Sequence, residues 1–183
     1  MSDFGVAASL FPPEMINQLF ERLKTRKTPE TIAKKAVPEN LNLLMWAQFA
    51  ALSSLDGKTD ESFFAPFEII LDLKKDRLLD CKLFDIFGFL LFVKNELERI
   101  AKLFESIKPK PTSEEIQAGI NKLNFGLFGT LDWYARRMGF TDHQEAEKMP
   151  LIRIFQCMKI DNETAQFEKR LREIINKKYK IRH

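Results

Sequence analysis

The chain has 183 residues, of which 45% are hydrophobic and 30% charged, with a formal net charge of +3. That is enough apolar material to bury a core in one domain or in two small helical subdomains, and it excludes a chain too polar to fold. Seventeen Phe stand against 2 Tyr and 2 Trp. This inventory suits helix–helix interiors and buried protein contacts better than a surface reading single-stranded nucleic acid, where Tyr, Trp and Arg would stand together.

The N-terminus carries no basic residues before Pro12, which predicts no signal peptide. A first helix is expected after Pro12-Pro13, with Met15, Ile16, Leu19, Phe20 and Leu23 as its apolar stripe. A second, short helix is expected from Thr28-Pro29-Glu30, stopping before Pro38. Residues 1–40 thus read as an N-terminal helical arm.

From Leu41 to Leu55 the apolar residues Leu43, Leu44, Trp46, Phe49, Ala50 and Leu52 are dense, as in a helix buried by several neighbours. Asp56-Gly57-Lys58 reads as a turn, and Phe63, Phe64, Phe67, Ile70 and Leu71 as a helix broken near Lys74-Lys75-Asp76. A long helix over about 83–107 follows, with Leu83, Phe87, Leu90, Leu91, Leu97, Ile100, Ala101 and Phe104 expected inward. Its most apolar run, Leu83 to Val93, is too short to span a bilayer and contains Asp85, so no membrane is implied. Lys108-Pro109-Lys110-Pro111 ends it and divides a subdomain 41–108 from a subdomain 112–183.

Thr112-Ser113-Glu114-Glu115 has the form of a capping box. Beyond it Ile116, Ile120, Leu123, Leu127, Leu131, Tyr134 and Met138 keep helical spacing, but Gly119, Gly126 and Gly129 predict either close backbone packing or a break near Asn124. Gly139 fits a left-handed helix stop, and Thr141-Asp142-His143-Gln144 reads as a second capping box. A helix from Met149-Pro150 is expected to hold Leu151 to Met158. A separate one, capped by Asp161, should run to about Tyr179 with Ala165, Leu171, Ile174 and Ile175 inward. The fold class is all-α, an irregular multi-helix bundle with Trp46, Phe49, Phe87, Leu90, Leu131 and Phe155 in its core.

Catalytic chemistry finds few residues to carry it. His143 and His183 are the two histidines, and His143 with Glu147 makes too few ligands for a zinc site. Cys81 and Cys157 read as reduced core thiols, the latter with no cation nearby in sequence to activate it. Gly126-Leu127-Phe128-Gly129 follows no strand and precedes no lysine, so it is no phosphate loop. Asp85, Asp132 and Glu96 interrupt apolar surfaces as acids on a wet side would. The reading implies no enzyme, metal or cofactor.

The charges that stand out are cations. Lys169, Arg170, Arg172, Lys177, Lys178, Lys180 and Arg182 crowd the C-terminus against Glu173 alone; a second cluster is Lys24, Arg26, Lys27, Lys34 and Lys35. They are solvated helix ends or contacts to an acidic partner or phosphate backbone. Arg136 and Arg137 have two readings as well: an ion pair with Asp132 one turn back, or a contact to phosphate or an acidic partner.

The stretches FGLFGTLDWYARRMGFTDHQEAEKMPL (from Phe125) and LNLLMWAQFAALSSLDG (from Leu41) resemble small helical tail-assembly and virion-associated proteins of tailed bacteriophages, a likeness running from Leu41 to Met158. The basic tail and the proline-rich arm depart from that pattern. The resemblance implies a non-enzymatic component that binds other phage proteins, in the host cytoplasm during assembly or in the virion. The alternative is a nucleic-acid-associated helical protein using the basic C-terminal helix.

Overall fold

The computed structural model of the protein describes residues 27–56, 59–109 and 111–180. The helix expected after Pro12-Pro13 and the turn residues Gly57 and Lys58 lie outside them. The described residues form seven α-helices, two 3-10 turns and one two-stranded hairpin, as the all-α reading requires.

The hairpin replaces the short helix expected at Thr28-Pro29-Glu30. Strands β1 (Thr31–Ile32) and β2 (Lys35–Ala36) pair antiparallel, Thr31 opposite Ala36 and Ile32 opposite Lys35. The two linking residues, Ala33 (φ 45°) and Lys34 (φ 68°), both adopt positive φ. Tight two-residue hairpins need this geometry and ordinarily recruit Asn or Gly for it, so Ala-Lys gave no turn signal. Tertiary anchoring holds it instead: Ile32 is 1% exposed, and Lys35 Nζ lies 3.3 Å from Asp72 Oδ2.

Helix α1 (Trp46–Ser53) is shorter than the apolar run that predicts it, and Leu43 ahead of it is 75% exposed. Helix α2 (Asp60–Leu71) is capped by Thr59, whose hydroxyl accepts from the Ser62 N–H, and it stops at Asp72 in the left-handed region. A 3-10 turn over Lys75–Leu78 leads to α3 (Leu83–Ser106), which ends just before the prolines.

Two compact units result. Of the described residues, 27–44 and 48–99 form the first, and 45–47 with 100–180 the second; the division falls within α3, between Arg99 and Ile100. The first unit buries Phe67, Phe89, Ile32, Leu41, Leu78 and Phe49 among others. Phe67 and Phe89 stack with ring centroids 4.7 Å apart, and Phe63 reaches Phe87 edge-on at 6.0 Å.

The inward face of α3 differs from the expected one. Ile86, Phe89, Phe92, Val93 and Ile100 are buried, Phe87, Leu90 and Leu91 are half-buried, and Leu83 is exposed. Between Leu83 and Val93 nearly every position is apolar, so periodicity cannot say which side faces solvent. The choice is made by the aromatic side chains of α2.

In the second unit Thr112 and Glu115 close the expected capping box: the Glu115 N–H donates to Thr112 Oγ1 at 3.3 Å, and the Thr112 N–H to Glu115 Oε2 at 2.7 Å. The long stripe after it breaks into α4 (Ser113–Gln117), a 3-10 turn (Ile120–Lys122) and α5 (Gly126–Met138). The break sits at Asn124, whose Oδ1 accepts from the N–H of Gly126, itself at φ 53°. Gly139, at φ 72°, ends α5. Helix α6 (His143–Glu147) is capped by Asp142, one residue later than expected.

Helix α7 (Leu151–Lys180) is continuous over 30 residues, about 45 Å. The two helices expected on either side of Asp161 are one, because no Gly or Pro interrupts 151–180 and the Asp161 carboxylate has a partner other than a helix terminus.

Candidate protein-binding helix

That partner is Arg137. Its Nε donates to Asp161 Oδ1 at 3.1 Å and Oδ2 at 2.9 Å, and its Nη1 lies 3.4 Å from Cys157 Sγ. Arg137 therefore fastens α5 to the start of α7, with its side chain 30% exposed. Cys157 does have a cationic neighbour, supplied from another helix where local sequence could not show it. Both cysteines are free thiols of intermediate exposure rather than core residues.

Arg136 pairs with Asp132 as its spacing allows, and Asp132 also meets His143 Nε2 at 3.2 Å. His143 is thus tied back to α5, with the Phe128 ring centroid 5.1 Å from its own. Among the described residues no group of three His, Cys, Asp or Glu stands close enough to hold a metal ion, and no helix is long and apolar enough to cross a membrane.

Tyr134 sits beneath this surface at 0% exposure, and its hydroxyl has no hydrogen-bond partner among the described residues. Burial pushes its pKa up. Tyr134→Phe keeps the edge contact with Phe140 and removes the orphaned hydroxyl. The variant is expected to be as stable as the parent or more stable by about 1 kcal/mol in urea unfolding. A clear loss would reveal a bound water serving that oxygen.

Beyond Asn162 the character of α7 changes. Its first turns bury Leu151 and Ile154, yet every residue from Glu163 to Tyr179 is exposed. The inward positions expected there are the reverse of inward: Leu171 is 43%, Ile174 53% and Ile175 41% exposed, with Phe167 at 57%. Lys169, Arg170, Arg172, Lys177 and Lys178 are exposed on the same segment, and no ion pair joins them to another described residue. Lys180 is the last residue of the helix. Lys169 lies near enough to Glu114 to help lower that carboxyl's pKa, behind the hydrogen bonds from the Glu114 N–H itself and from Ser113 and Thr112.

The arrangement is a solvated helical arm bearing cations and large apolar groups together. No protein-family model, curated protein or solved structure matches the chain. The sequence located the cations and the apolar positions Leu171, Ile174 and Ile175 but set the latter inward, since helical spacing alone does not distinguish a buried face from one awaiting a partner. A signal was present: from Glu163 to Lys180 charged residues flank each apolar position closely, leaving a stripe too narrow for a helix packed within a core.

Proposed function

We propose that this protein is a non-enzymatic interaction component, of the kind found among tail-assembly and virion-associated proteins of tailed bacteriophages, and that α7 is its binding element. It would act in the host cytoplasm during assembly or within the particle. The observation that carries the reading is the exposure of Phe167, Leu171, Ile174 and Ile175 on one arm. Soluble chains rarely leave contiguous large apolar groups in water unless a partner covers them. A second exposed set, Leu123, Phe125 and Phe128 at 60%, 69% and 61%, lies at the break before α5 and in its first turn, and adds to the same argument.

The cations of α7 support a second reading, a nucleic-acid contact through Lys169, Arg170, Arg172, Lys177, Lys178 and Lys180. The apolar stripe between them favours protein, because a phosphate backbone gains nothing from Ile or Leu. Replacing the six cations with Gln separates the two. On the protein reading it slows association with the partner and lowers affinity moderately, since rim charges act chiefly on encounter rate. Duplex and single-stranded DNA bind weakly or not at all. Tight DNA binding near physiological salt that falls steeply with added salt and vanishes in the Gln variant would establish the second reading instead.

A further inference from the structure

We propose that the exposed arm of α7 pairs with the same arm of a second copy of this chain, antiparallel, as a short two-stranded coiled coil. The inference rests on the reading of α7 as a protein-binding surface and names its partner. Ile160, Thr164, Phe167, Leu171, Ile174 and Lys178 recur at alternating steps of four and three, the 3.5-residue period of a coiled-coil seam. All six are exposed on a continuous helix. Two ordinary devices for covering such a stripe are excluded for the described residues by that exposure: no other helix lies on it, and the helix does not bend back.

Charge sets the orientation. The part of the arm before Lys169 carries Asp161, Glu163 and Glu168 and no cation, whereas the part from Lys169 onward carries six cations and Glu173. A parallel pair would set acid beside acid and base beside base along its length. An antiparallel pair sets each acidic half against the other copy's basic half, and the two helix dipoles also oppose. With Phe167 of each copy against Leu171 of the other, Thr164 meets Ile174 and Glu163 flanks Lys177. Among the described residues Glu163 is held by an exposed ion pair with Lys159 at 3.8 Å, which costs little to exchange. In this register the arms overlap from Ile160 to Lys178.

Sedimentation equilibrium of the full chain over a concentration series tests this. The mass should rise toward twice 21.4 kDa. Leu171→Glu should hold it at one chain while leaving the far-UV spectrum of the body unchanged, because the position is exposed. Glu163→Lys or Lys177→Glu alone should weaken the dimer about tenfold, and the two together in one chain should restore it. Orientation is read in a Cys81→Ser, Cys157→Ser background: Thr164→Cys should not crosslink to itself but should form a disulfide with an Ile174→Cys chain. A chain that stays monomeric at every concentration overturns the self-pairing and leaves the protein-binding reading to the DNA titration. A dimer indifferent to Leu171→Glu, or self-crosslinking through Thr164→Cys, overturns it equally.

Discussion

Phe89→Ala is expected to destabilise the protein by about 3–5 kcal/mol, and Phe87→Ala by clearly less. Phe89 is fully buried, with its ring stacked on Phe67 and a second contact to Phe92 at 6.2 Å between centroids. Truncating it removes the transfer free energy of the ring and leaves a cavity that its two neighbouring aromatics, Phe67 and Phe92, are too rigid to fill. Phe87, two positions earlier, is half-buried and meets Phe63 edge-on, so much of the volume it vacates opens to water. Far-UV circular dichroism during urea unfolding is the suitable readout, since Trp46 and Trp133 both belong to the second unit. Equal losses at the two positions, or a greater one at Phe87, would return the buried face of α3 to the Phe87 and Leu91 side.

The contrast also marks how far the sequence could be read. Helix starts and stops with specific chemistry were legible: Thr112 with Glu115, Gly139, and the prolines after Ser106 each act through a local backbone requirement. What depended on distant partners was not. The hairpin at Ala33-Lys34 is held by Ile32 and by Asp72, 37 residues from Lys35. Asp161 looks like a cap because its partner Arg137 lies 24 residues away. The candidate site shows the same limit. Its cations were visible one by one, but helical spacing set Leu171 and Ile174 inward, and only the charges crowding that stripe hinted at the exposure of Phe167, Leu171 and Ile174. Arg136 and Arg137 were singled out together, and the structure separates them: one pairs within its own turn, the other joins two helices.

Glu96 carries the other large effect. It was expected on the wet side of α3, yet its side chain is only 13% exposed. One oxygen, Oε2, accepts the Leu41 N–H at 2.9 Å, while both oxygens accept from Arg99, whose Nη2 also reaches Asn42 Oδ1 at 2.6 Å. A single carboxylate thereby ties the chain entering the first unit to α3 and places Leu41, 1% exposed, in the core. Glu96→Ala leaves the Leu41 N–H without its acceptor and Arg99 without its anchor, and should cost about 1–3 kcal/mol at neutral pH. The hydrogen bond from Arg99 lowers the Glu96 pKa most, burial opposes it, and the Leu41 N–H lowers it further. A carboxyl whose folded pKa lies below its unfolded one stabilises the fold fully above the ordinary value of 4.5. That contribution fades as pH falls through the lowered folded value, where the protonated group no longer holds Arg99. Glu96→Gln should therefore lose stability at pH 7 but show a shallower decline on acidification than the parent. Urea midpoints measured from neutral pH down through the carboxylate range give both slopes, and parallel curves for parent and variant would remove Glu96 as the source of that acid sensitivity.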